Sequence, residues 1–268
     1  MYGLRLTLQA SAALTMRVLP SGILDIISYP FVPPTTLSGW LRRVWMLAEG
    51  LDLPETTASK DAPFYVLPPS IVSLGAYPKT PSHIHKTKRK GSKHFRDTSF
   101  TRLIFNKKTA PLFQLHTWEY LTTDKLEGFV VSEDREVLER LLAALQERDE
   151  TLPWGCKLGK EGFAYLCHVS KVQVLEPRDD VLTPMTLLPI DTVVIQTQPL
   201  DFAIHNIYRF AWHKEMLEED LQTPSPVQGY DILPLALASH GDVSTSWWCG
   251  DDMHFPQGLE TTLGVAHD

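Results

Sequence analysis

The sequence has little cysteine, and none of it is spaced for structural use. Its three cysteines are widely separated and form no C-x-x-C pair, so neither a disulfide framework nor a zinc ribbon is indicated. The sequence also lacks a run of about 18 uncharged apolar residues, which a membrane span requires. Its first residues alternate like a half-buried strand and do not resemble a signal peptide. We therefore predict a soluble, cytoplasmic protein in a reducing compartment, with no membrane partner.

Signatures of metal binding and nucleotide hydrolysis are also scarce. The loop 154–162 contains three glycines and two lysines, which would let a phosphate approach the backbone, although a plain β-turn has the same composition. It lacks the Walker spacing and the trailing Lys-Ser or Lys-Thr pair. Four histidines lie near a basic segment without a carboxylate or cysteine at ligand spacing; they are His83, His85, His94 and His116. We predict no metal site and no cofactor.

Positive charge is rare in the sequence except in one segment. The chain has a net charge of −7, but residues 86–108 contain nine basic residues and the single acid Asp97. This segment therefore has a net charge of +8, which leaves −15 for the remainder. Because local charge decides where a polyanion docks, the segment is the candidate nucleic-acid site. Its cations alternate with Phe95, Phe100, Phe105 and His94, and cations with aromatic rings are typical of proteins that hold single strands.

The N-terminal region predicts a strand followed by a helix. Apolar residues alternate along residues 3–10, and the helix should begin just after Pro34, with Thr35 or Thr36 as its cap, and end near Gly50. Its apolar stripe follows the i, i+3, i+4, i+7 rule and includes both tryptophans, which we expect in the core. The members of the stripe are Leu37, Trp40, Leu41, Val44, Trp45 and Ala48. Arg42 and Arg43 lie off this stripe and are expected on the surface.

The middle of the chain predicts a long hairpin and then a second strand and helix. The basic segment should turn at Lys90-Gly91-Ser92 and return through Phe100, Leu103 and Phe105. A strand ending at Ser132 should lead into a helix capped by that serine, and residues 163–174 should form another strand. Two strand–helix units with an inserted arm predict an α+β, ferredoxin-like sandwich.

We divide the chain into two parts. Residues 1–176 are predicted to form the ferredoxin-like domain, with an inserted thumb at about 78–112. Residues 177–268 are predicted to form a small strand-rich part, in which residues 190–197 read as a strand. Trp247, Trp248 and Cys249 are expected in a buried or partner-facing patch.

The order of these segments resembles the Cas-five family, the CRISPR-associated subunits of Cascade complexes. The resemblance lies in the N-terminal strand, the entry PPTTLSGWLRRVW into the first helix, the basic arm, and the loop WGCKLGKEG before a late strand. The helix entry is matched at Pro34, Thr35, Thr36, Ser38 and Gly39. The resemblance covers about residues 2 to 175 and does not extend to the C-terminal third.

The resemblance implies a non-catalytic subunit with a ferredoxin-like, RNA-recognition-type domain and a basic thumb hairpin. Such subunits bind the five-prime handle of the CRISPR guide RNA and contact the large and backbone subunits of Cascade; through the complex they lie near the PAM end of target DNA. We predict that the sheet, the arm and the glycine loop contact RNA through Lys86, Lys88, Arg89, Lys90, Lys93, His94, Phe95, Arg96, Arg102, Arg42, Arg43, Lys157 and Lys160.

Three alternatives remain open from the sequence. A lysine-rich loop is often only a solvated surface. One subtype of the family cuts precursor repeat RNA, and a metal-independent ribonuclease needs a base and a cation, which His94 with Lys93 or Lys90 would supply. The chain would instead be an assembly protein if its arm docked on an acidic partner without contacting RNA.

Overall fold

The computed structural model describes most of the chain. The described residues are 1–18, 25–48, 50, 64–67, 70–92, 113–146, 155–194, 200–212, 225–227, 229–264 and 266–267. Within these ranges no helix is both long and apolar enough to cross a membrane.

Strands outnumber helices in the described ranges. In chain order the strands are β1 (Tyr2–Ala10), β2 (Asp25–Ile26), β3 (Phe64–Val66), β4 (Val72–Pro78), β5 (His83–Ser92), β6 (Phe113–Thr122), β7 (Lys125–Ser132), β8 (Gly155–Lys157), β9 (Phe163–Val169), β10 (Gln173–Val174), β11 (Glu176–Leu182), β12 (Leu188–Pro189), β13 (Asp201–Trp212), β14 (Ser225–Val227), β15 (Gly229–His240), β16 (Val243–Cys249), β17 (His254–Pro256) and β18 (Ala266–His267). The helices are α1 (Pro34–Ala48), α2 (Arg135–Gln146), α3 (Ile190–Val194) and α4 (Leu259–Leu263).

The main sheet has the strand order of a ferredoxin-like fold. Its strands run β4-β7-β1-β9-β8, with β10 beside the start of β1, and every neighbouring pair is antiparallel. Helix α1 lies between β1 and β4 in the sequence, and α2 lies between β7 and β9. This is the βαββαβ pattern. The predicted fold class is confirmed.

Helix α1 is buried on more sides than its sequence suggests. The apolar stripe is confirmed: Leu37, Trp40, Leu41, Val44 and Trp45 are at most 3% exposed. The cap prediction is wrong, because the helix begins at Pro34 and the two threonines lie inside its first turn. Proline suits the first helical position, where an N–H would have no helical acceptor.

Helix α2 is capped by Asp134 and not by Ser132. The Asp134 carboxylate accepts hydrogen bonds from the backbone N–H groups of Glu136 (2.8 Å) and Val137 (3.4 Å). The Ser132 hydroxyl accepts one from the Asp134 backbone N–H (3.0 Å). Both residue types are good caps, so the sequence pattern did not distinguish between two candidates two positions apart. The buried face of this helix packs on β1, β7 and β9 of the main sheet.

A long hairpin is inserted between β4 and β7, as expected. Strands β5 and β6 pair antiparallel over ten residues each, from His83 opposite Thr122 to Ser92 opposite Phe113. The predicted turn at Lys90-Gly91-Ser92 is wrong, because these residues continue β5 and pair with β6. The predicted return through Phe100, Leu103 and Phe105 lies outside the described residues.

The C-terminal part is strand-rich as expected, although one element differs from its prediction. Residues 190–194 form α3 and not a strand, so local β propensity is overridden here by tertiary context. Trp247 is fully buried and Cys249 is nearly so, which agrees with the expected buried patch. The largest core cluster contains side chains from both parts, including Leu6 and Phe255. The boundary between residues 176 and 177 stays a prediction.

Residues 14–16 connect the hairpin to the loop before β9. Leu14 exchanges two backbone hydrogen bonds with Leu121 on β6, at 2.8 and 2.7 Å. Thr15 donates its N–H to the Glu161 carbonyl (2.9 Å) and accepts the N–H of Lys160 (2.8 Å). We call residues 14–16 the bridging segment, because they fix the base of the hairpin against loop 158–162.

Two glycines allow this close approach. Gly159 and Gly162 have φ angles of +75° and +115°, which side-chain-bearing residues rarely adopt. A Cβ on Gly159 would lie 2.6 Å from the Thr15 carbonyl oxygen, and a Cβ on Gly162 would overlap the Leu14 side chain. The prediction that these glycines let a phosphate approach is therefore wrong for both positions, since protein atoms occupy that space.

The hairpin of β13 and β15 contacts the core through a half-buried histidine. His205 lies near Tyr29 and Phe31, with ring centroids 5.9 and 5.2 Å away. Its Nε2 atom is buried and has no hydrogen-bond partner among the described residues. Burial lowers the pKa of His205, because a charged imidazolium would lose its hydration there.

We expect Gly162→Ala to destabilise the fold by about 1–3 kcal/mol, because alanine would meet Leu14 and adopt an unfavourable φ angle. Gly39→Ala on α1 is the matched control, since a Cβ there has no heavy atom within 4 Å. It should be neutral or stabilise by up to about 1 kcal/mol. Urea unfolding measures both changes, and equal stabilities of the two variants would contradict this account.

We expect His205 to make stability depend on pH. The folded state favours its neutral form, so its contribution is complete above the unfolded pKa of about 6.5 and is lost as the pH falls through the folded pKa. The Tm of His205→Phe should therefore fall less than that of the wild type between about pH 7.5 and about pH 5.5. His83→Phe, at an exposed position of β5, should keep the wild-type dependence. Equal slopes for the wild type and His205→Phe would refute the prediction.

Candidate nucleic-acid interface

The strand register divides the side chains of the hairpin between its two faces. Arg89 pairs with His116, Thr87 with Trp118, and His85 with Tyr120. Directly opposed residues point to the same side of a sheet, and successive residues alternate. Arg89, Trp118 and Tyr120 therefore share one face, whereas Lys86 and Lys88 lie on the other.

Two cations lie against aromatic rings on the Arg89 face. The Arg89 guanidinium carbon is 5.0 Å from the ring centroids of both Trp118 and Tyr120, and these two rings are stacked with an interplanar angle of 18°. The Lys160 ammonium is 4.8 Å from the Trp118 centroid. These distances are within the range of cation–π contacts. The loop before β9 thus supplies one cation and the hairpin supplies the other.

Glu161 orients this group. Its carboxylate accepts two hydrogen bonds from Arg89, each 3.0 Å long, and one from the Tyr120 hydroxyl at 3.3 Å. The Arg89 side chain is nevertheless 49% exposed. We call Arg89, Trp118, Tyr120, Lys160 and Glu161 the base patch, because they lie near the base of the hairpin.

Positive charge is concentrated around Lys160. Burial lowers the pKa of Lys160, the nearby Arg17 and Lys157 lower it further, and Glu161 opposes them. Arg17 and Lys157 therefore repel the Lys160 ammonium, and a bound phosphate would relieve that repulsion. The predicted residues Lys157 and Lys160 are both exposed and close enough to interact electrostatically, and Lys160 and Arg89 lie against the same Trp118 ring.

The other predicted residues of the arm are divided. Lys86 and Lys88 are exposed on the opposite face, where the Lys86 ammonium is 3.4 Å from the Glu119 carboxylate. The backbone of Lys90 belongs to β5. The remaining predicted contacts of the tip lie outside the described residues: Lys93, His94, Phe95, Arg96 and Arg102.

The two arginines of α1 have different positions. The prediction that Arg42 lies off the buried stripe is wrong, since it is 2% exposed and its guanidinium lies 5.0 Å from the Trp45 ring centroid. The cause is that α1 contacts β3 and β13 in addition to strands β4 and β8 of the main sheet. Arg43 is exposed and close enough to Cys156 to oppose the effect of burial, which raises the pKa of that thiol to about 12.

The chemistry of the base patch suits phosphate and base binding. Arg89 can donate in a bidentate manner to phosphate oxygens, Lys160 supplies a point charge, and the partly exposed Trp118 ring offers flat apolar surface. The Tyr120 ring is buried (8% exposed) and supports Trp118 and Arg89 from below. Among the residues that the structure describes, no group of three or more histidines, cysteines or carboxylates could hold a metal ion.

Sequence reasoning missed Trp118 and Tyr120. The signal was present in the stretch HTWEY, where an imidazole and two aromatic rings recur at every second residue. In a strand this spacing places them on one face. The return strand was expected earlier in the chain, so this alternation was not assigned to the hairpin.

Comparisons with known proteins give only distant structural similarity. No protein-family model matches the sequence, and no curated protein matches it. The chain is similar to the crystal structure of a CRISPR protein from Archaeoglobus fulgidus, with 13% identity, 95% of this chain and 97% of that chain covered, and a TM-score of 0.39. It is also similar to a chain of a CRISPR RNA-guided surveillance complex, with 12% identity, coverages of 88% and 91%, and a TM-score of 0.34. Similarity at this level identifies neither a family nor a function.

Proposed function

We propose that this chain is a non-catalytic subunit of a Cascade-type CRISPR effector complex. In this role it binds the five-prime handle of the guide RNA through the hairpin and the base patch, and its acidic remainder contacts the backbone and large subunits. Its location is then the cytoplasm, and it needs no cofactor. The observation that carries the proposal is the group of cations and aromatic rings at the base of a basic hairpin.

Charge segregation supports RNA as the ligand of the hairpin. The segment 86–108 has a net charge of +8 within a chain of net charge −7, so a polyanion is attracted to this region and repelled elsewhere. Protein partners would then meet the acidic remainder. An acidic protein that docks on the arm would be attracted by the same charge, and the experiment below distinguishes it from RNA.

The geometry supports a single strand in preference to a duplex. Trp118 and Tyr120 are stacked on each other and contacted by Arg89 and Lys160, which combines ring surface with phosphate-binding cations. Unstacked bases of a single strand can pack on the partly exposed Trp118 ring, whereas the bases of a duplex are enclosed within it. The proposed ligand is therefore single-stranded RNA.

We expect Arg89→Gln combined with Lys160→Gln to weaken the binding of end-labelled repeat RNA by about tenfold at about 0.1 M salt, because it removes two phosphate contacts. The slope of log K against log salt should become shallower by about 1.4, which is about 0.7 per contact. Fluorescence anisotropy at several salt concentrations measures both quantities.

The matched control removes two exposed arginines elsewhere. Arg140 lies on α2 and Arg178 on β11, and Arg140→Gln with Arg178→Gln should leave the affinity and slope close to wild type. If the control and the base-patch variant weakened binding equally, only net charge would matter and the proposed site would be wrong. If the wild type bound no RNA but bound an acidic partner subunit in a salt-sensitive manner, the chain would be an assembly protein.

We expect repeat RNA to remain intact during this binding experiment, because the proposed role involves no chemistry. A denaturing gel of the same samples, with and without a chelator, tests this expectation. A discrete product that is lost in His94→Ala would overturn the non-catalytic role and favour a metal-independent ribonuclease. A product that persists in His94→Ala would point to a contaminating nuclease.

A further inference from the structure

We propose that the open end of the outer face of the main sheet is a second binding surface for single-stranded RNA, on which two bases stack against Phe163 and Tyr165. This inference rests on the proposed function, because it extends the path of the same RNA beyond the base patch.

The outer face is the side of the main sheet that α1 and α2 do not cover, and the described residues of the C-terminal part cover one end of it. At that end Arg5 pairs with Asp252 (2.6 Å), and the Tyr77 hydroxyl accepts the backbone N–H of Leu187 (3.1 Å). Gly3 lies against Met253, whose Sδ atom is 2.7 Å from the position that a Cβ would take. The opposite end, around Gln9 and Tyr165, is exposed.

Two aromatic side chains lie side by side at this open end. Phe163 and Tyr165 are 39% and 36% exposed, and their ring centroids are 5.6 Å apart. They occupy alternate positions of β9, and the residues that follow each of them, Ala164 and Leu166, are buried in the core. The strand therefore places its large rings on the outer face and its aliphatic side chains on the inner face.

Gly155 on β8 makes room for these rings. It pairs with Tyr165, and a Cβ at Gly155 would overlap the Tyr165 ring and lie 2.9 Å from Phe163. A glycine next to an aromatic residue on the neighbouring strand leaves space for the ring to lie across it. The rings thus rest on backbone and present their outer surfaces to solvent.

Two lysines flank the rings. Lys157 pairs with Phe163 across β8 and β9, and Lys125 pairs with Gln9, which itself pairs with Tyr165. Directly paired residues share a face, so a lysine flanks the rings on each side. The carboxylate of Glu127, farther along the same face, is engaged by Arg5 and Lys79. This arrangement attracts a negatively charged phosphate backbone and not a positively charged ligand.

The surface is continuous with the base patch. Lys157 lies beside Lys160, and Phe163 follows Glu161 by two residues. An RNA strand whose phosphate contacts Lys160 can therefore pass Lys157 and place its next bases on Phe163 and Tyr165. Aromatic rings flanked by cations on an open sheet bind single strands through stacking, and this continuity favours RNA over a protein as the occupant.

The test uses the full-length chain and a fluorescein-labelled single-stranded RNA of about eight nucleotides. Phe163→Leu combined with Tyr165→Leu keeps the surface apolar but removes both rings, and we expect it to weaken binding by about tenfold or more. Tyr165→Phe keeps the ring and should bind as the wild type does. Phe202→Leu, at another exposed phenylalanine, is the matched control and should also bind normally.

A second readout reports stacking directly. An RNA with 2-aminopurine in place of successive bases should show quenched fluorescence at one or two positions on the wild type, and the quenching should disappear in the double leucine variant. Because both positions are exposed, circular dichroism should give the same fold for all variants.

The outcomes separate the two proposals. If the leucine variant binds RNA like the wild type while Arg89→Gln with Lys160→Gln is weakened, this inference is wrong and the proposed function stands. If the leucine variant is weakened while the base-patch variant is not, the RNA site lies on the sheet and the base patch is wrongly placed. A wild type that does not bind RNA overturns both. Unchanged RNA affinity with lost co-purification of a partner subunit would make this surface a protein interface.

Discussion

The backbone hydrogen bonds of the bridging segment are the constraint on which the candidate interface depends. Residues 14–16 pair with β6 on one side and with loop 158–162 on the other. The hairpin and the loop are separated by about 40 residues in the sequence, and this segment brings them to a common position. Only then can Lys160 reach the ring of Trp118 and Glu161 reach Arg89. The interface is thus a tertiary feature and not a property of the hairpin alone.

This dependence explains which parts of the structure could be predicted from the sequence. Helices α1 and α2 and strands β1 and β9 follow from the periodicity of their buried residues, whereas β4 and β7 are buried on both faces. The basic segment 86–108 located the hairpin, and the prolines before Thr35 located the start of the first helix. By contrast, Arg42 has the sequence position of a surface residue and is buried because additional strands cover α1. A single-face pattern contains no information about such additional layers.

The loop glycines show the same limit at the candidate site. Their number and the neighbouring lysines suggested a place where a phosphate meets the backbone. In the structure Gly159 and Gly162 face the bridging segment, and the lysines between and beside them remain exposed. A glycine indicates that another group packs close to the backbone, but the sequence does not say whether that group belongs to the protein or to a ligand. Trp118 and Tyr120 were missed for a related reason, because their pairing partner on β5 depends on the length of the hairpin.

The pairing of Arg89 with Glu161 determines how readily the base patch can accept a phosphate. An exposed ion pair contributes only about 0–1 kcal/mol to stability, and here the two side chains are 49% and 36% exposed. Exchanging the carboxylate for a phosphate therefore costs little. While the pair exists it holds the guanidinium over both rings and so restricts an otherwise flexible side chain, which reduces the entropy lost on binding. Glu161 thus orients Arg89 and can be displaced by a stronger acceptor, so an acidic residue at this position is compatible with the proposed RNA-binding role of the base patch.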